Sequence, residues 1–272
     1  MSNFVQKFLQ EATVLDTETT GLDSKTAEII EFATALYQDG GWQIQSQLFN
    51  TPNGIPPESS AKNQISNRMV QDCPYFDQVV MFDVLNMLGA PKYFVAHYAE
   101  YDQAVLVHSF ERMSQNVVAA MFANPDVWIC TWRVARHIYS PTFQDKSYAQ
   151  NYLRYKLDLS VPDNIGVHRA DADVQVCGAL LERLIEDGLA QGVLNPNEEI
   201  GPQLVALTQT AVPVKTWPTG KHKGQTLESI PTEYYLWSME NQGILRENDP
   251  GYDFDLAESV RKVLEARLSS GA

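Results

Sequence analysis

The chain has 272 residues, 44% of them hydrophobic and 20% charged, with a formal net charge of −14 at pH 7. That length and apolar content allow a sizeable core, in one large domain or in one domain with a small companion. No run of about 18 or more apolar residues occurs, which excludes a helical membrane span, and three scattered cysteines, Cys73, Cys130 and Cys177, exclude both a disulfide framework and a zinc site.

The N-terminus MSNFVQKFLQEATV lacks the basic-then-apolar layout of a signal peptide, so a cytoplasmic location is expected. Strong acidity argues against a nucleic-acid binder, because affinity for phosphate chains rests on Lys and Arg. Distribution counts for more than the sum. Acidic residues concentrate in 182–199 and 233–258, whereas 131–156 holds Arg133, Arg136, Lys146, Arg154 and Lys156 against Asp145 alone. Lys215, Lys221 and Lys223 make a second basic patch. Solvated faces and phosphate contacts both account for such runs.

In chain order, the first clear element is Thr13–Leu22 (TVLDTETTGL), an apolar run that reaches Asp16 and Glu18 and then a Thr-Thr-Gly turn. It reads as a buried strand ending in a charged site. Side chains alternate along a strand, so Asp16 and Glu18 point the same way. Two ionised carboxylates so placed repel unless a cation lies between them, although an isolated Asp-x-Glu is far more often a solvated strand end than a metal site. Glu28–Tyr37 and Trp42–Phe49, separated by Asp39-Gly40-Gly41, read as a hairpin that adds two antiparallel strands to the first. Residues 51–60 are a Pro/Ser-rich loop, with Glu58-Ser59-Ser60 opening a helix. Phe76–Leu88 has apolar residues near helical period and stops at Gly89.

Tyr93–Ala96 is a short buried strand that delivers His97 to Asp102 to the start of a helix through Val105, Leu106 and Phe110; a helix cap is the plain alternative for Asp102. Val127–Cys130 is another strand, followed by a helix over Thr131–Tyr139. This alternation predicts parallel additions to the sheet, and hence an α/β domain. A short helix is expected around Ser147–Arg154. His168-Arg169-Ala170-Asp171-Ala172-Asp173 then enters a helix whose inner face carries Cys177, Leu180, Leu181 and Leu184. Asp173 lies one turn before Cys177 and so projects toward the sheet, whereas Asp171 reads as an exposed cap. Gly188 and the tract 191–197 mark a domain edge. A helix near Glu198–Thr208 leads to a C-terminal module with a basic turn, Thr219–Gly224, and helices near Thr232–Met239 and Leu256–Leu268.

Four carboxylates and one histidine at strand ends of a mixed sheet suit two-metal phosphodiester hydrolysis. In that chemistry one cation activates water, the other stabilises the leaving oxygen, and an imidazole takes the proton. Asp16–Leu22, Val95–Asp102 and His168–Asp173 together resemble the three motifs of the DEDDh 3′-to-5′ exonuclease superfamily, which is DnaQ-like, and the His-x4-Asp spacing fits the branch that uses histidine. Trp128–Arg136, Thr219–Gly224 and Tyr234–Trp237 resemble a single exodeoxyribonuclease of that branch, so the likeness covers nearly the whole chain.

The resemblance implies an α/β, ribonuclease H-like mixed five-stranded sheet flanked by helices. It implies an exonuclease domain at 1–188, a linker with a helix at 189–209 and a small module at 210–272. Asp16, Glu18, Asp102 and Asp173 would hold two Mg²⁺ or Mn²⁺ ions, with Asp16 bridging both and His168 as general base. The loop of Thr19, Thr20, Gly21 and Leu22 would receive the 3′-terminal nucleotide, with Thr20 near its hydroxyl and Leu22 against its base; His97 would belong to the same substrate site. The expected product is a 5′-mononucleotide, released from single-stranded DNA 3′ ends in repair or turnover. Duplex ends and RNA are alternative substrates, a protein partner could meet the C-terminal module, and a silent nucleic-acid or polymerase-binding scaffold is the alternative of another class. Trp132, Tyr148 and Tyr155 are candidates to stack on bases, with core packing as the competing role. Two departures from the family pattern stand out. Tyr98 follows the second-motif histidine where Asn is usual, and Asn63 occupies a position where histidine is usual.

Overall fold

Asn3–Glu11 (α1) is helical because Val5, Phe8 and Leu9 fall on one face, and it buries that face. The structure, a computed structural model, describes residues 3–77, 79–140, 147–162, 166, 168–247, 249 and 251–270, the side chain of Ser270 excepted. Asp145 and Lys146 of the basic stretch lie outside the described residues. The chain divides into two compact units, Met1–Thr208 and Gln209–Ala272.

In the first unit, Ala12–Thr19 (β1), Ile29–Gln38 (β2) and Gly41–Leu48 (β3) form the expected antiparallel side of the sheet. Pro57–Asn63 (α2), Asn67–Val70 (α3) and Met81–Leu88 (α4) follow. The helix expected from Phe76 begins only at Met81. The Asp77 carboxylate instead accepts the Val79 amide at 2.8 Å, a local bond that competes with helical pairing. Tyr93–Ala96 (β4) runs parallel to β1 and leads into Ala99–Arg112 (α5) and Asn116–Ala123 (α6). Trp128–Cys130 (β5), parallel to β4, is followed by Thr131–Tyr139 (α7), Gln150–Lys156 (α8), Ala170–Ala190 (α9) and Ile200–Gln209 (α10). The result is the expected mixed five-stranded sheet flanked by helices, in the order β3-β2-β1-β4-β5.

The first four residues of β1 are buried on both faces, as befits the central strand, and alternation begins only at Asp16. One face of the sheet packs Val14, Ala33, Ala35 and Val95 against the α9 residues Val174, Cys177 and Leu181, with Ile200, Leu204 and Val205 of α10 in the same cluster. The other packs Leu15, Phe32, Phe94 and Ala96 against Val105, Leu106 and Phe110 of α5. By strand alternation Asp16 and Glu18 continue the Val14 face, toward α9, and Thr17 continues the Leu15 face, toward α5.

Two anchors fix α9. A Cβ at Gly178 would come within 2.8 Å of the Trp42 indole, so only glycine lets the helix lie this close to β3. Glu182 on the next turn accepts the Trp42 indole N–H at 2.7 Å. At the start of the helix, Glu31 of β2, with a side chain only 1% exposed, receives two bonds from Arg169 at 2.9 and 2.8 Å and one from the Ala170 amide at 3.1 Å. Asp171 is exposed, as expected, and its Oδ1 accepts the first-turn amide of Ala172 at 2.8 Å, while Glu31 takes the amide of Ala170.

The second unit is built around Trp217, which packs with Leu227, Ile230, Tyr235, Leu245, Leu256 and Val260. Thr232–Asn241 (α11) supplies Tyr235 to that core, and Phe254–Ser270 (α12) supplies Leu256 and Val260. Asp255 and the Ser259 hydroxyl accept the amides of Val212 and Val214, tying the incoming chain to α12. Gly224, at φ +84°, closes the turn that carries exposed Lys221 and Lys223. Among the described residues no helix is long and apolar enough to cross a membrane.

Candidate active site

β1 ends at the mouth of a cavity of about 740 Å³, lined by Asp16, Glu18, Asp102, His168 and Asp173 and by the loop Thr19–Leu22. Asp16, Glu18 and Asp173 each place a carboxylate oxygen within 4.8 Å of the other two. Asp102 reaches the same cavity from α5, across the sheet. Its Oδ1 accepts both the Thr17 amide at 2.9 Å and the Thr17 hydroxyl at 2.7 Å. The cap expected as the plain alternative for Asp102 is absent, since α5 carries no side-chain cap bond and this carboxylate turns to β1. Gln150 of α8 restrains Asp173, donating to its carboxylate at 3.1 Å and its carbonyl at 2.9 Å.

The electrostatics follow from this crowding. Burial raises Asp16 well above the ordinary carboxylate range, and repulsion from Asp102, Asp173 and Glu18 adds to it. Burial also lifts Glu18 to about 8, with Asp173 and Glu31 repelling and Lys62 partly opposing. Asp102 rises to about 7, again through burial, despite the two Thr17 bonds that favour its anion. Asp173 rises to about 6 by burial, with the Gln150 bond acting the other way. Among the described residues lining the cavity, Lys62 of α2 is the single lysine or arginine. Four crowded carboxylates with so little internal positive charge suit divalent cations, whose oxygen ligands are typically carboxylates of this kind.

The substrate loop is braced from behind. The Thr19 and Tyr101 hydroxyls lie 2.7 Å apart and both reach the Gly21 carbonyl, Thr19 at 2.8 Å, so their two protons are shared among three contacts. The Ser59 hydroxyl holds the Thr20 carbonyl at 2.7 Å, and the Thr20 hydroxyl accepts the Glu28 amide at 2.9 Å. Leu22 remains 84% exposed. His97 lines the cavity but both its ring nitrogens are engaged, with the Thr131 hydroxyl at 2.8 Å and the Tyr148 carbonyl at 2.9 Å, and burial lowers its pKa to about 4. It can therefore shape the wall but has no free nitrogen to offer a ligand. His168 is exposed at the rim with φ +57°, and Tyr98 adopts φ +63° in the same wall.

Several side chains entered the site without a sequence motif. Lys62 and Gln150 could not be assigned from spacing, because each arrives from a different helix; Tyr101 lies inside the motif Val95–Asp102, but its hold on the Gly21 carbonyl leaves no mark in the sequence. Glu31 did leave a signal: a charge inside the apolar run Ile29–Tyr37 needs a buried partner. Asn63 is buried beside the cavity, where its side chain accepts the Ile65 amide at 3.0 Å. Of the stacking candidates, Trp132 packs on Tyr98, Tyr148 packs against the core, and Tyr155 is largely exposed with Arg154 over its ring.

Comparison with known proteins adds what geometry alone lacks. The exonuclease family model RNase_T matches residues 13–181. Exodeoxyribonuclease 10 of Escherichia coli (strain K12) is 26% identical over 232 residues, covering 84% of this chain and 90% of that protein. DNA polymerase III subunit epsilon of Treponema pallidum (strain Nichols) is 26% identical over 198 residues, covering 72% and 86% respectively. Among solved structures, E. coli exonuclease I in complex with a dT13 oligonucleotide aligns with a TM-score of 0.54 over 67% of this chain and 42% of that one; at 13% identity this is a likeness of fold. Because the family model runs from the strand of Asp16 and Glu18 through the helix of Asp173, the chain belongs to the RNase_T exonuclease family, within the DnaQ-like DEDDh superfamily.

Proposed function

We propose that this nuclease is a metal-dependent 3′-to-5′ exonuclease that removes 5′-mononucleotides from DNA 3′ ends. The observation that carries the reading is the convergence of Asp16, Glu18 and Asp173 within 4.8 Å, with Asp102 in the same cavity. These four residues would hold two Mg²⁺ or Mn²⁺ ions. Bound there, the ions would supply Lewis-acid stabilisation of the phosphate charge and lower the pKa of a nearby water.

The chain's own residues do the rest. Exposed His168, at the rim, takes the proton of the water that attacks phosphorus. The P–O3′ bond breaks; the departing oxygen becomes the new 3′ hydroxyl after taking a proton from solvent, and the released nucleotide keeps its 5′ phosphate. Leu22 offers an apolar surface to the terminal base, while the braced backbone of Thr19–Gly21 holds the nucleotide in line. Gln150 and Thr17 fix the rotamers of Asp173 and Asp102, so that the ligand set is pre-organised. A DNA substrate is supported by the relative named as an exodeoxyribonuclease and by the polymerase subunit. Lys221 and Lys223 in the smaller unit, Gln209–Ala272, are proposed as phosphate contacts, and deleting that unit should weaken DNA affinity more than turnover.

A 5′-labelled oligonucleotide should shorten from its 3′ end with Mg²⁺ or Mn²⁺, in preference to a matched RNA strand. Full-length substrate persisting with both metals would overturn the proposal. His168→Ala should lower turnover by about 10²–10⁴-fold, the usual worth of a general base, while calorimetric Mn²⁺ affinity stays within a few-fold.

A further inference from the structure

Tyr98 is an aromatic member of the cavity wall that the proposed chemistry leaves without a role. It stands between β4 and α5, just before the first residue of that helix, lines the cavity and is 48% exposed. Its backbone lies at φ +63°, ψ +46°, in the left-handed region that bulky L residues enter at a cost and that Gly, Asn and Asp take more readily. Strain of this kind persists where the surroundings hold it, and its clustering at sites argues for use.

The surroundings do hold this ring. Trp132 stacks on it with centroids 4.8 Å apart and planes 29° apart, and His97 meets it edge-on at 5.2 Å and 88°. His97 is itself pinned through both nitrogens. The Arg136 guanidinium lies 4.4 Å from the centre of the Trp132 ring, so the stack ends in a cation. An aromatic ring meant only for packing would be covered; this one is backed, oriented and left open toward the cavity.

We infer that Tyr98 is a stacking platform for one nucleobase of the bound strand, with Trp132 as its support. The inference rests on the proposed function, because it presupposes a nucleic-acid strand in the cavity. Every base has a π face, so such a platform adds affinity without reading sequence. It is a second apolar contact beside that of Leu22, and carried by a different element.

The test uses the full chain with Mn²⁺ and a set of oligonucleotides bearing one abasic site at each of the three 3′-terminal positions in turn. For the wild type, one position beyond that held by Leu22 should raise KM by about five-fold or more, with kcat within about two-fold. Tyr98→Asn, which suits the left-handed backbone, should raise KM for the intact strand by a similar factor. It should also lose the abasic penalty at that one position while keeping those at the others. Tyr98→Phe should behave as the wild type. Equal abasic penalties in the wild type and Tyr98→Asn at every position would overturn the inference, as would a wild type that ignores all three. A wild type that shortens none of the strands would overturn the proposed function itself, whereas shortening without this coupling removes only the role of Tyr98.

Discussion

Glu18 and Glu31 face each other in the register of β1 and β2, and they have opposite fates. Glu31 is sealed against solvent but meets Arg169 in a two-bond pair, the Ala170 amide and the Ser46 hydroxyl at 2.9 Å. Glu18 shares its surroundings with Asp16 and Asp173 and is driven up to about 8. A buried carboxylate with an internal counterion holds the fold together; a crowd of carboxylates that meets little internal positive charge suits a cation from outside. The two also cooperate, because the Glu31–Arg169 pair fixes the start of the helix that presents Asp173, with His168 immediately before it.

The largest break in this contrast should come from Asp16→Ala. If Asp16 holds metal as proposed, its loss should remove several kcal/mol of transition-state stabilisation, and turnover should fall by about 10³-fold or more. The metal-free variant should nonetheless melt no lower than the wild type, because the substitution relieves repulsion. A clear drop in its melting temperature would show that Asp16 serves the fold.

Glu31→Gln should do the reverse. Stranding Arg169 without its anion costs about 3 kcal/mol, read as a lower urea midpoint. Replacing both partners, Glu31→Leu with Arg169→Met, should recover much of that loss. Full stability in the single variant would refute the structural role assigned to the pair.

The smallest effect is a dependence on pH. Glu18, Asp102 and Asp173 titrate in the fold near about 8, 7 and 6, all above the unfolded carboxylate range near 4. Across that interval the folded chain therefore binds more protons than the unfolded one, so this site's contribution to stability declines as pH rises from about 4 to about 8. Measured relative to a triple variant, Glu18→Gln with Asp102→Asn and Asp173→Asn, the melting temperature of the metal-free wild type should fall by a few degrees between pH 5 and pH 8. Millimolar Mn²⁺ should remove the fall. A pH-independent difference would mean that the carboxylates are not coupled as the geometry implies.

Much of this molecule was legible before any coordinates. The apolar run that carries Asp16 and Glu18, the glycine hairpin at 39–41 and the strand–helix repeats after Tyr93 follow from local rules, and so do the sheet and its mixed direction. The bounds of β4 and α7 matched the residues expected. Helix α1 was missed, although Val5, Phe8 and Leu9 have helical spacing, because one buried face over nine residues is a weak signal without its partner. Helix α4 began late because a side-chain bond at Asp77 outweighed periodicity.

By itself the sequence determined the identity and order of the acidic groups, the strand that aligns Asp16 with Glu18, and the helix phase that turns Asp173 inward, since backbone geometry sets these over a few residues. Only the tertiary structure decided that Asp102 is held by Thr17 from the opposite face, that Lys62 and Gln150 enter the cavity, that Glu31 locks Arg169, and that Tyr98 stands open upon Trp132. Those contacts join residues dozens of positions apart, and no local rule of spacing reaches across a sheet.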